Sequence, residues 1–253
     1  MSAKSLAGQH VLVTGASGGI GAAIVERLAK EGARPIIHYG RDRAAAEALL
    51  ARISGNGRIV QADLSNTDGA FELWRKAEVE AGRIHALVNN AGIRTEVSID
   101  AGCDAWRDAW RQEFQVNFFA AADLCKEALR HFKAHAGGRI VNMASRAGQR
   151  GYAADAMPYG ATKAALINLT KSIARSFGGD GVVAVAIAPG WVKTEMAEDF
   201  VAKFGKQAAV ADIPIGEMAD VSEIAELVAF ALRPSQRSLN GATLDVNGGS
   251  YIR

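Results

Sequence analysis

Cysteine is scarce: Cys103 and Cys125 are the only two in 253 residues. Two such residues make no disulfide framework and no metal motif, so reduced thiols of an intracellular protein are expected. No Pro/Gly/Ser-rich stretch separates one part of the chain from another, and no repeat or low-complexity tract appears. One domain over residues 1–253 is therefore expected. No apolar run approaches the ~18 residues that cross a bilayer, and the first residues carry no secretory apolar region. A soluble, cytoplasmic protein with no membrane partner follows. Charge of one sign is also missing. The 29 Lys and Arg are interspersed with 27 Asp and Glu, for a net charge of +2, which gives no patch for nucleic acid or membrane. What is abundant is apolar side chain, 49% of the chain, ample for a large core.

Strand-like apolar runs recur at Val11–Thr14, Pro35–His38, Arg58–Gln61, Ala86–Val88, Arg139–Asn142, Val182–Ile187 and Ala242–Val246. Helical patterns lie between them: Ile20 to Ala29, Ala44–Ile53, Phe71–Ala81, a long Ala105–Ala134, Ala161–Phe177 and Ser222–Leu232. Alternation of this kind builds βαβ units, and right-handed crossovers place helices on both faces of the sheet. The predicted fold is α/β: a doubly wound (Rossmann) parallel seven-stranded sheet.

The polar punctuation falls just after the strands. Thr14-Gly15-Ala16-Ser17-Gly18-Gly19-Ile20-Gly21 follows the first and opens a helix. A helix N-terminus offers unpaired N–H groups and partial positive charge to a pyrophosphate, and glycine lets backbone approach it closely. The spacing is Gly-x-x-x-Gly-x-Gly (Gly15, Gly19, Gly21) rather than Gly-x-Gly-x-x-Gly. Gly40-Arg41 follows the second strand, Asp63-Leu64 the third, Asn89-Asn90-Ala91-Gly92 the fourth, Ser145 the fifth and Pro189-Gly190 the sixth. Ligands of open parallel sheets bind outside the carboxyl ends of the strands, so six segments converge on one edge.

Tyr159 and Lys163 stand four apart, on one helix face, with Pro158 suited to the helix start. An ammonium beside a phenol favours the phenolate and lowers its pKa from about 10. Ser145 is a natural hydrogen-bond donor to a carbonyl. The trio suits reduction of a carbonyl or oxidation of an alcohol.

These segments, with Asn117 in Gln115-Val116-Asn117, Thr194 and Asn247-Gly248-Gly249, resemble the short-chain dehydrogenase/reductase family over the whole chain. The likeness is to its single-domain kind, which includes 3-oxoacyl-carrier-protein reductases. The resemblance implies that Tyr159 is the general acid/base. Lys163 would tune it and hold the nicotinamide ribose, Ser145 would orient the carbonyl, and Asn117 would support a water-mediated proton path. The same likeness assigns Gly15, Ser17, Gly18, Gly19, Ile20, Gly21, Asp63, Leu64, Asn90, Ala91, Gly92, Pro189, Gly190, Val192 and Thr194 to a nicotinamide cofactor, with Tyr159 and Lys163. Residues 190–219 would form a substrate lid, with Met196, Phe200, Phe204 and Ile213 its apolar members. A homotetramer built through two long helices and the C-terminal segment is also implied. Arg41, where an acid would select the unphosphorylated ribose, points to NADP over NAD.

Blander readings stand beside these. Asn117 could bind backbone groups of its surroundings, and Asp63 could be a turn or cap residue. The Ser145–Tyr159 interval, fourteen residues, is one longer than the family's usual spacing. A non-catalytic cofactor-binding regulator, or sugar-nucleotide epimerase or dehydratase chemistry, would use parts of the same constellation. His131 and His135 are read as cations favourable to a helix end rather than metal ligands, and Trp106 and Trp110 as packing or interface residues.

Overall fold

A computed structural model describes residues 5–253. Seven parallel strands form one sheet in the order β3-β2-β1-β4-β5-β6-β7: β1 His10–Val13, β2 Arg34–Tyr39, β3 Arg58–Gln61, β4 Ala86–Asn89, β5 Gly138–Met143, β6 Val182–Pro189 and β7 Thr243–Val246. The helices are α1 Gly19–Lys30, α2 Arg43–Arg52, α3 Gly69–Ala81, α4 Cys103–Phe114, α5 Ala120–Ala134, α6 Ala147–Arg150, α7 Met157–Phe177, α8 Glu195–Phe204, α9 Lys206–Val210 and α10 Val221–Leu232.

Period-two side-chain direction divides the core between the two faces. Val11 and Val13 point to one side and pack with Ile24, Leu28, Ile224 and Val228 of α1 and α10. Leu12 points to the other and packs with Leu73, Trp74, Leu124 and Phe132 of α3 and α5. A side chain such as Leu12, fully buried, contributes about 1.5–3 kcal/mol. Leu12 pairs in register with Ile36 on one side and Leu87 on the other, so β1 stands between β2 and β4. The strand order reverses between β1 and β4, and the site lies at the carboxyl ends flanking that reversal.

The predicted single helix over 105–134 is instead α4 and α5 joined by a π-turn at Gln115–Phe119. The extra residue turns Asn117 inward, where its amide binds backbone (below), as π-turns do at functional sites. Helix α7 begins at Met157, four residues before the expected start, with Pro158 in its first turn. No helix among the described residues is long and apolar enough to cross a membrane.

Candidate active site

The glycine turn is built by long-range partners. Thr14 Oγ1 accepts from Asn90 N (2.9 Å) and Ala91 N (3.0 Å), and Asn90 Nδ2 donates to Thr14 O (2.9 Å) and Gly15 O (3.1 Å). Gly15 takes a left-handed φ of 59°, and a Cβ there would stand 2.8 Å from Ala91 Cα. At Gly21 a Cβ would meet Gly15 O at 2.3 Å, so the turn closes only on hydrogen. Gly18 is the N-cap of α1 and supplies no side-chain cap to the first-turn N–H groups, and a Cβ on it would meet nothing within 4 Å. Thr194, on the loop after β6, lies over Gly19, its Cγ2 3.7 Å from where a Cβ would be. An open helix N-terminus walled by backbone fits a pyrophosphate, and so the residues present fit a dinucleotide.

Sequence reasoning missed the base of this turn. His38 of β2 is 3% exposed. Its Nδ1 accepts from Gly15 N (3.0 Å), which leaves Nε2 to donate to Ala62 O (3.2 Å). Burial holds this ring neutral, with its pKa lowered to about 4. The only signal in the sequence was a polar residue in an otherwise apolar strand.

Arg41 is exposed, and its guanidinium makes no hydrogen bond or ion pair among the described residues. The neighbouring Asp42 is turned away to cap α2, accepting from Ala45 N at 2.9 Å. Asp63 forms a turn: its carboxylate accepts from Ser65 N (2.9 Å), Ser65 Oγ (2.7 Å) and Asn66 Nδ2 (3.3 Å). These bonds, with the nearby Arg41 charge, lower its pKa. Leu64 is buried in the core beside it.

Ser145, Tyr159 and Lys163 meet at the ends of β5 and α7. The Ser145 hydroxyl accepts from Ala147 N (3.1 Å) and stands close enough to the Tyr159 phenol to pull its pKa down. Lys163 Nζ donates to Met143 O (2.9 Å) and lies 5.6 Å from the centroid of the Tyr159 ring. The expected depression of the Tyr159 pKa by Lys163 is not what this arrangement produces. Burial pushes the phenol up to about 12, against the opposing pull of Ser145. Burial also brings Lys163 down to about 8, with Glu113 opposing. Tyr159 is therefore a protonated phenol at neutral pH.

Asn117 follows the blander reading of its side chain. Its Oδ1 accepts from Ile93 N (2.8 Å) and its Nδ2 donates to Ile93 O (2.9 Å), fastening the loop after Gly92. Glu113, fully buried and unnoticed in the sequence, backs it: Oε1 accepts from Asn117 Nδ2 (3.3 Å) and Oε2 from Thr95 N (2.9 Å). Burial raises the Glu113 pKa.

Pro189 O accepts from Arg146 N (3.0 Å), and Gly190 N donates to Val246 O (3.0 Å). Val192 is buried and pairs with Ala219 in an isolated bridge, which ties together the two ends of segment 192–219. Within it Phe200 packs on Trp191, ring centroids 4.7 Å apart, and Ile213 is buried against Gly248. The side chains of Met196 and Phe204 lie outside the described residues. The long Ser145–Tyr159 interval is taken up by α6 and a 3₁₀ turn at Ala154–Ala156.

One side reading changes. His131 Nε2 accepts from Ile84 N (3.0 Å), leaving Nδ1 to donate to Glu78 (2.7 Å). The ring joins α5 to α3 through both nitrogens instead of standing free at the helix end. No metal-binding group of three occurs among the described residues. Trp106 and Trp110 pack together at 5.8 Å and continue into Phe114.

Comparison with known proteins gives a consistent answer. The family model for short chain dehydrogenase matches residues 9–204. The 3-oxoacyl-[acyl-carrier-protein] reductase FabG of Vibrio cholerae is 35% identical over 248 residues, covering 98% of this chain and 99% of the relative. The FabG of Escherichia coli is 32% identical over 245 residues, 97% and 98% respectively. A 3-oxoacyl-[acyl-carrier-protein] reductase of Synechocystis is 32% identical over 256, 98% and 99%.

Proposed function

Because the chain belongs to the short-chain dehydrogenase family and is thereby an oxidoreductase, we propose that it reduces a carbonyl, or oxidises the matching secondary alcohol, with NADP(H). The observation that carries this reading is the meeting of Ser145, Tyr159 and Lys163 on the same sheet edge as an uncapped α1 N-terminus. A nicotinamide bound there would exchange a hydride with the carbonyl carbon. The residues of the chain do the rest. Ser145 donates to the carbonyl oxygen as negative charge gathers on it. Tyr159 gives that oxygen its proton. Lys163 holds the ribose, and Asn117 positions the Ile93 loop beside them. The glycine turn, Ser17, Ile20, Asp63, Leu64, Asn90–Gly92, Pro189, Gly190, Val192 and Thr194 line the cofactor cleft, and residues 190–219 cover the substrate within one catalytic unit. The test is the nicotinamide absorbance band: a panel of carbonyls with NADPH, and of alcohols with NADP, should include at least one turned over. Failure of every member would end the enzymatic reading in favour of a cofactor-binding regulator.

The choice of NADP rests on Arg41, exposed, two residues beyond β2 and with no ion pair among the described residues. Asp42 is engaged in its cap and the nearby Asp63 carboxylate is held by Ser65 and Asn66, which leaves the guanidinium to make a charge-assisted bond to a ribose phosphate. Arg41→Ala should raise the KM for NADPH roughly fivefold to tenfold, the size of one partly exposed charged contact, and leave the KM for NADH unchanged. Equal or better turnover of the parent with NADH would refute the preference.

We also propose a homotetramer. Phe119 at the start of α5, Met157 at the start of α7 and Ile252 in the C-terminal segment are exposed. These are apolar surfaces on the elements that symmetric association would cover. Light scattering at micromolar concentration should give about four times the 26.6 kDa chain mass. A monomer would exclude the assembly.

A further inference from the structure

Two residues beyond Gly92, on the loop that Asn117 fastens, stands Arg94. Its side chain is only 15% exposed, and its Nη1 donates to Glu96 Oε1 at 2.8 Å. Its Nε is buried and has no hydrogen-bond partner among the described residues. The guanidinium carbon lies 5.6 Å from the centroid of the Tyr152 ring, and that ring lies 5.6 Å from the Tyr159 ring. The unpartnered N–H is thus one aromatic ring away from the proposed proton donor.

The neighbourhood holds more positive charge than its carboxylates offset. Arg146, directly after Ser145 and with a side chain 5% exposed, pairs with Asp212 (3.1 Å), but Asp212 is shared with Arg150 (2.9 Å). Glu96 is shared between Arg94 and Lys203 (3.3 Å). Glu113 is occupied by Thr95 N and Asn117. Among the described residues, five cations (Arg94, Arg146, Arg150, Lys203 and Lys163) stand with three carboxylates (Glu96, Glu113 and Asp212). A buried N–H without a partner is costly, and a guanidinium is matched in shape and charge by a carboxylate.

Resting on the reductase reading above, we propose that the substrate carries a carboxylate, bound by Arg94, a short distance from the carbonyl at Tyr159. The enzyme would then act on oxo acids, or on the corresponding hydroxy acids, in preference to neutral ketones. The redox step itself is unchanged: the carbonyl gains the hydride and the Tyr159 proton, and the carboxylate takes no part in bonding changes. Tyr152, between the two groups, supplies the flat wall along which the short linking chain lies.

The experiment compares matched pairs, levulinate and para-acetylbenzoate each against its methyl ester, with NADPH. The acids should show kcat/KM at least about tenfold above their esters, the size of one buried charge-assisted hydrogen bond. In Arg94→Gln the acid-to-ester ratio should fall by at least about tenfold, and Arg94→Lys should retain part of it. Because the ratio is taken within one preparation, it does not depend on how much of a variant folds. A parent enzyme that turns over the esters as well as the acids, or a ratio unchanged in Arg94→Gln, overturns the carboxylate assignment alone. Turnover of neither acids nor esters counts against the reductase reading, and this assignment falls with it.

Discussion

Tyr159→Phe is expected to lower turnover by at least about 10²-fold to 10⁴-fold, the contribution of a positioned general acid. The ring stays, so packing against Tyr152 stays, and only the dissociable proton is removed. Cofactor affinity should survive, because the glycine turn is assembled from Thr14, Asn90, Ala91 and His38. Lys163→Ala should damage both turnover and cofactor affinity, since that residue is assigned to both. Ser145→Ala should reduce turnover with little change in affinity. These three profiles separate the roles better than lost activity alone. Near-normal reduction by a folded Tyr159→Phe variant, on a substrate the parent turns over, would remove Tyr159 from the chemistry.

The second large effect is set by acid. His38 is neutral in the fold down to about pH 4, whereas an unfolded histidine takes its proton near 6.5. The folded pKa is depressed, so the stabilisation is complete above pH 6.5, is lost as pH falls from 6.5 toward 4, and changes no further below that. A gap of this width corresponds to about 3 kcal/mol. The loss has a structural meaning: a protonated ring would present an N–H at Nδ1, where Gly15 N already donates. Cofactor affinity should decline across the same window. Urea unfolding at fixed subunit concentration, at several pH values between 7 and 4, gives the slope for the parent and for His38→Gln. The variant should show a shallower decline. Parallel slopes would mean that His38 does not carry the acid sensitivity.

Much of this was open to reading along the chain. The seven apolar runs match the seven strands closely, because a parallel strand covered on both faces must be apolar throughout. The punctuation after each strand located the site edge, since only polar or glycine-rich segments can leave a buried sheet. Side-chain partners were less legible. Thr14 read as the last residue of a strand; it lies beyond β1 and its hydroxyl ties the first loop to the fourth. Glu113 and Arg94 gave no signal in the sequence, because burial by a loop from elsewhere leaves no local pattern. The π-turn was hidden for the same reason: one inserted residue shifts the helical phase without changing composition. The effect on Tyr159 failed for a different cause. Spacing by four put Lys163 on the right face but could not say that its ammonium would reach back to Met143 O.

The parallel pairing of β1 with the distant β4 also sets a timetable. Thr14 and Asn90, whose bond closes the glycine turn, are 76 residues apart. Ser145 and Tyr159 come later still, and Val246 on the last strand receives the Gly190 N–H. Non-local parallel pairing repays its loop-closure entropy only once the distant strand arrives. A chain emerging from the ribosome can therefore bury α1 against the first two strands while its nucleotide cradle is still open, and the loop carrying Gly190 is anchored only when the C-terminal strand is released. The interval before β7 docks is when the unpaired β6 edge is exposed to other chains.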